Sequence, residues 1–236
     1  MGKSARIKAE RRAVEASASS TTRRTGGPTP VFWLVVIALV VGGIVATVAT
    51  RPDDAERTRA AAADRVPVFG AVRVTGAELP RWTGDARDAA VGRQVPTLRA
   101  TSFEGGHRTV DPLDGTARVY VVVAHWCPHC NIEVPRIVEW AKEHPTPRGV
   151  QVIAVSTAVD KRQPNFPPAA WLAEAAWPFP ALVDDEVGSA AAALGTEGFP
   201  FLVFADARGR VVRRFSGEMP IREFAQELTS LRADAT

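Results

Sequence analysis

Only two of the 236 residues are cysteine, Cys127 and Cys130, and Pro128 and His129 separate them. So few thiols leave three uses for the pair: a redox couple, half of a metal site, or an inert staple. A structural zinc site needs four ligands, so the pair would have to be completed from His107, His125, His129 and His144. A staple closing so short a loop removes little entropy from the unfolded chain, which leaves it little stabilising purpose. Positive charge is scarce in a second sense. Residues 1–30 hold seven Lys or Arg against Glu10 and Glu15, so that stretch is +5, and with a chain total of +3 the other 206 residues sum to −2. The folded part therefore offers no basic face for phosphates, which argues against nucleic acid as a partner. No internal repeat is present.

Charge is absent altogether from Val31 to Thr50, "VFWLVVIALVVGGIVATVAT". Twenty apolar residues in a helix span a hydrocarbon core of about 30 Å, so the run reads as a transmembrane helix. A cleaved signal peptide is the competing reading, but its apolar region is normally about 7–15 residues. No cysteine stands at the end of the run, which excludes a lipoprotein anchor. The basic residues before it outnumber Arg51, Arg57 and Arg59 after it. The positive-inside rule then keeps residues 1–30 cytoplasmic as a basic tail and exports everything after Thr50.

The remainder divides in two. Residues 51–91 read as a charged, Ala-rich stalk followed by an extended arm with scattered Pro and Gly and no sustained period. Residues 92–236 carry the folded domain. Strands are expected at "TLRAT" and "RTV" around the turn Glu104–Gly106, and at Arg118–Ala124, a continuous apolar run of the buried parallel type. A helix over Pro128–Glu143 and a strand at Val150–Ser156 complete a strand–helix–strand unit. Helices at Pro168–Ala176 and Glu186–Leu194, a strand at "PALVD", a hairpin around Ala207–Gly209 and a closing amphipathic helix from Ile221 make the fold class α/β with a mixed sheet.

In this frame Cys127 leaves a buried strand and sits at a helix N-terminus, with Pro128 at the first helical position, where its missing N–H costs nothing. Free backbone N–H groups and the positive end of the helix dipole favour a thiolate there. Cys130 lies about one turn deeper, close enough to attack back on a mixed disulfide. The strand–helix–strand setting favours the redox couple over the metal site.

The run "AHWCPHCNIEVP" together with "LGTEGFPFLVFADARGRVVRRFSG" resembles the thioredoxin superfamily, in particular its membrane-anchored TlpA and ResA branch, over roughly Gly92 to Leu231. The resemblance implies a thioredoxin-like fold, a central mixed β-sheet flanked by helices. It makes Pro200 the cis-proline beside the disulfide and Pro135 the proline within the active-site helix. ResA-like proteins carry a glutamate where Glu133 stands, near the thiols, and three residues after Cys130 the helix period puts it on the same face. Trp126 is expected at the lip where a substrate chain docks, with Phe199 and Pro200 shaping the groove.

Four departures bear on the chemistry. The Pro128-His129 dipeptide is that of DsbA-type oxidants, and an imidazolium at His129 would add positive potential beside Cys127. The large helical insertion of those oxidants is missing, since 43 residues separate Ser156 from Pro200. Thioredoxin's buried Asp, six residues before the first cysteine, is here Val121, which leaves Glu133 the proton carrier. Peroxiredoxins need Thr where Ala124 stands. The expected function is a membrane-anchored, extracytoplasmic thiol:disulfide oxidoreductase acting on protein cysteines, single-pass with its N-terminus cytoplasmic. No metal or cofactor beyond the redox-active pair is expected. The expected partners are protein thiols and disulfides, a membrane or extracytoplasmic redox partner, and the lipid bilayer through residues 31–50. The alternative is a tethered module that captures copper or an apocytochrome through the same cysteines.

Overall fold

The computed structural model describes residues 66–233. The basic tail, the apolar run 31–50 and the stalk to residue 65 lie outside the described residues. Among those described, no helix is long and apolar enough to cross a membrane.

The sheet is built around β4 (Ala117–Val123), buried at all seven positions. It pairs in parallel with β5 (Val150–Ser156) and antiparallel with β7 (Phe201–Ala205). A strand flanked on both edges and covered on both faces has no solvent-facing position, which is why its sequence is a continuous apolar run instead of an alternation. The sheet order is β1-β2-β6-β5-β4-β7-β8, with β6 at Ala181–Val183, β8 at Val211–Ser216, and β3 (His107–Val110) paired to β2 (Thr97–Ser102). β6 continues the parallel set, whereas β2 and β7 bracket it with antiparallel pairs, so the sheet is mixed.

Period-2 alternation divides β4 between two cores. Val119, Val121 and Val123 face α1 (Cys130–Glu143), α2 (Pro168–Glu174) and α4 (Ile221–Ala233), meeting Val134, Ile137, Leu172, Phe224 and Leu228. Tyr120 and Val122 face the other way, toward α3 (Ser189–Ala193) and the arm. α1 buries positions 130, 133, 134, 137 and 138, the stripe of a helix lying on a sheet. Pro135 lies inside this helix, which continues through it.

Three expectations are corrected. The arm contains a strand, β1 (Val72–Thr75), paired antiparallel with β2. Four residues are too few to establish a period, and the pairing partner supplies what the local pattern lacks. The regular helix begins at Cys130, two residues after Pro128. Its first turn is nevertheless anchored on Cys127, whose carbonyl accepts from the Asn131 N–H at 3.1 Å, so Cys127 keeps the N-terminal position expected of it. α3 begins at Ser189 instead of Glu186, because Asp184 at the end of β6 caps it from outside, accepting from Ala190 N–H at 2.8 Å and Ala191 N–H at 3.1 Å.

The arm closes the second face. Leu79 and Ala90 are buried in that core, and the Leu79 and Trp82 N–H groups donate to Ala193 and Gly195. The lock is Arg214 on β8, whose side chain is 0% exposed. Its guanidinium makes two bonds to Asp88, at 2.6 and 2.8 Å, and donates to the carbonyls of Pro80 and Leu194. Gly195, at φ +73°, leaves room for it; a Cβ there would collide with both Arg214 and the Pro80 carbonyl. Burial works against the Asp88 carboxylate, but the bond from Arg214 prevails and holds its pKa below the usual value. Asp88→Ala would strand a buried cation, so it is expected to cost roughly 3 kcal/mol in urea unfolding and to open the 66–92 segment to protease. This contribution is fully present above the ordinary Asp range and is lost as pH falls through the depressed Asp88 pKa.

Candidate active site

The antiparallel pairing of β4 with β7 brings the C-terminal end of one strand to the N-terminal end of the other, with Val122 opposite Phe201. The chain leaving β4 carries Trp126 and Cys127, and the chain entering β7 carries Phe199 and Pro200. The two segments meet there. The Cys127 thiol donates to the Phe199 carbonyl at 3.3 Å, and the Phe199–Pro200 bond is cis. A second cis bond, Phe166–Pro167, was not expected. Both cysteines are free; Cys127 is 6% exposed and Cys130 is 0% exposed.

Burial pushes the Cys130 thiol well above its ordinary pKa; a hydrogen bond from the Ala124 backbone opposes this, and neighbouring Cys127 and Glu133 add to the rise. Such a thiol needs a base to become a nucleophile. Glu133, one turn along α1 and 1% exposed, has its pKa raised to about 7, chiefly by burial, with the Met219 N–H and Arg136 pulling it down and Glu218 pushing it up. Its Oε1 accepts from Met219 N–H at 3.2 Å and its Oε2 from Arg136 Nη1 at 3.2 Å. A carboxyl that titrates near neutrality can both take and return a proton.

The other expected residues also gather here. The Trp126 indole donates to the Ala158 carbonyl at 2.6 Å and meets Phe199 edge to face at 6.3 Å, so it joins the cysteine loop to both neighbouring loops. His129 is largely exposed, its Nδ1 standing 2.8 Å from Glu218 Oε1. Any positive charge on this ring is therefore partnered, and acts on Cys127 as half of an ion pair instead of as a lone cation.

Several contributors escaped the sequence reading. Asn131 donates to the His125 and Cys127 carbonyls, while its Oδ1 accepts from Trp171 and Asn165. His125 is wholly buried; its Nδ1 donates to the Pro164 carbonyl at 2.7 Å and its Nε2 accepts from the Asp160 N–H at 3.3 Å. Together they clamp the 157–167 loop against the cysteine loop. Arg136 stood at helical spacing from Glu133 and could have been noticed; Glu218 is 85 residues distant and no local signal marks it. Among the described residues no group of three or more His, Cys, Asp or Glu could hold a metal ion. An apolar cavity of about 310 Å³, lined in part by Phe103, Leu172, Trp177 and Phe179, includes neither cysteine.

The family model described as Redoxin matches residues 90–230, more than half of the chain. The chain belongs to the Redoxin family. The chain is 28% identical over 162 residues to the thiol:disulfide interchange protein DsbE homolog of Paracoccus denitrificans, covering 67% of this chain and 84% of that one. It is 29% identical over 142 residues to the thiol:disulfide interchange protein DsbE of Haemophilus influenzae, covering 59% of this chain and 74% of that one. Among solved structures, a thiol:disulfide interchange protein of the thioredoxin family from Chlorobium tepidum superposes with a TM-score of 0.50 at 21% identity, over 63% of this chain and 99% of that one. That likeness establishes the thioredoxin-like fold of this Redoxin member.

Glu133 makes a stability signature. Its pKa is raised on folding, so its favourable contribution is complete below about pH 4.5 and is lost as pH rises through about 7. The reduced protein is expected to lose about 2–3 kcal/mol of unfolding free energy over that window, and Glu133→Gln to remove that loss. Parallel urea titrations from pH 4.5 to 8 measure it; identical pH slopes for the two proteins would contradict the burial of an ionisable carboxyl here.

Proposed function

We propose that the chain is a membrane-tethered thiol:disulfide oxidoreductase that exchanges electrons with protein cysteines outside the cytoplasm. The observation that carries the reading is the unequal setting of the pair: the Cys127 thiol, 6% exposed, donates to the Phe199 carbonyl, Cys130 is fully buried, and the charge of Glu133 acts on Cys130. The thiol:disulfide interchange names of the relatives support it.

In the reductive direction the Cys127 thiolate attacks one sulfur of a client disulfide. The client S–S bond breaks, a Cys127–client bond forms, and the departing client sulfur takes a proton. Glu133 then accepts the Cys130 proton, and the Cys130 thiolate attacks Sγ of Cys127. The Cys127–Cys130 disulfide forms, the second client sulfur leaves as a thiolate and takes up the proton that Glu133 returns through solvent, and two electrons have passed from the pair to the client. Starting from the oxidised pair, the same steps run in reverse. No further redox group enters. Trp126, Phe199 and Pro200 form the groove wall; Ile132 and Phe166, both exposed, add apolar surface on neighbouring segments, which suits a polypeptide client more than a small polar thiol. Residues 31–50 supply the tether, supported by the charge-free run and the cationic tail before it.

Two measurements test the reading. Cys130→Ser should leave Cys127 able to attack but unable to be resolved, so mixed disulfides accumulate and appear on non-reducing gels; Cys127→Ser should abolish them. Equal trapping by both variants would contradict the assigned order. For the tether, the full chain should remain in the membrane fraction through alkaline carbonate washing, and protease added outside wall-stripped cells should release a fragment beginning within residues 51–66. Release only after the cytoplasm is opened would reverse the orientation.

A further inference from the structure

The proton carrier does not stand alone. The Arg136 guanidinium is shared between two carboxylates: Nη1 donates to Glu133 Oε2 at 3.2 Å, and Nη2 to Glu218 Oε2 at 3.1 Å. The other oxygen of Glu218 lies 2.8 Å from His129 Nδ1. The other oxygen of Glu133 accepts from the N–H of Met219, whose carbonyl in turn receives Arg136 at 3.4 Å. Glu218 and Met219 are consecutive in the loop between β8 and α4, and Gly217 just before them donates to the Pro200 carbonyl at 2.8 Å. One short loop thus touches the residue between the cysteines, the carboxyl behind them and the proline beside them.

We infer that Glu218 and Arg136 are positioning residues for the proton-transfer step, coupling His129 at the mouth of the site to the Glu133 carboxyl behind Cys130. The inference rests on the oxidoreductase reading above. The groups facing Glu133 are Arg136 and Cys130 from α1, with Cys127 beyond, and Glu218 from the β8–α4 loop. Glu223 and Glu227 of α4 are bonded to Arg213 instead.

The physics is competition between two anions for one cation. Glu218 repels a second negative charge at Glu133, and it also draws on the cation that would otherwise serve Glu133 alone. A protonated His129 offsets the charge of Glu218 and returns Arg136 to Glu133, which weakens the affinity of Glu133 for a proton. A client chain that draws His129 away from Glu218 has the opposite effect. It makes Glu133 a stronger base at the stage when Cys130 must give up its proton.

The test uses the reduced full chain labelled with carbon-13 at glutamate Cδ, the Glu133 signal being assigned from its loss in Glu133→Gln. Its titration midpoint is compared with the pH–rate profile for resolution of a mixed disulfide. Glu218→Gln should lower the midpoint by about 1 pH unit and Arg136→Gln should raise it by a similar amount, while Arg136→Lys, which keeps the charge, should restore most of the original value. The inflection in the rate profile should move with the midpoint. In a Glu133→Gln background, Glu218→Gln should leave the profile unmoved. Midpoints that stay in place in both single variants, or a profile that still responds without Glu133, would overturn the coupling. Wild-type protein that exchanges no disulfide at any pH would overturn the oxidoreductase reading, whereas normal exchange with immobile midpoints removes only the coupling.

Discussion

The arrangement depends on β4 being paired on both edges, parallel to β5 and antiparallel to β7. The parallel pair requires a crossover, which is α1, and the crossover starts where β4 ends, so the cysteines fall at the junction of a buried strand and a helix. The antiparallel pair brings the Phe199–Pro200 segment to that same junction. A different neighbour for β4 would leave Cys127 at the head of a helix but without the facing Phe199 carbonyl.

The same pairing explains why the two thiols are chemically unequal. Cys127 lies in the segment between strand and helix, whereas Cys130 falls on the stripe that α1 turns to the sheet. Burial that stabilises the fold through Val134, Ile137 and Val138 also raises the cost of ionising Cys130. Glu133 lies on that stripe too. A carboxyl there is an expense to the fold that packing alone does not require, and its one hydrogen bond from Met219 and one from Arg136 leave it able to titrate near neutral pH.

On the opposite face the sheet is closed by chain that precedes the cysteines by about forty residues. Leu79, Ala90 and Val95 complete that core, and Arg214, buried among Asp88, Pro80 and Leu194, holds them there. The segment between residue 65 and the domain proper is consequently part of the fold.

Much of this was legible from short-range pattern. The apolar runs at β4, β5 and β7, the helical stripe shared by Cys130 and Glu133, the turn at Glu104–Gly106 and the cysteine spacing are all local features, because a strand covered on both faces shows as a continuous apolar run and a helix lying on a sheet at a period of about three and a half residues. That stripe already placed Glu133 beside Cys130. β1 was too short to show a period, and the start of α3 was displaced by a cap that Asp184 supplies from the preceding strand. What local pattern could not convey is which distant segments meet: Phe199 with Cys127, Glu218 with His129 and Arg136, and Asp88 with Arg214. Those contacts follow from strand order and loop path, which are settled by the packing of the whole sheet. The sequence therefore names the two cysteines and the acid at helical spacing from them, and the tertiary fold alone decides what faces each of them, because hydrogen bonds and charges act through space and not along the chain.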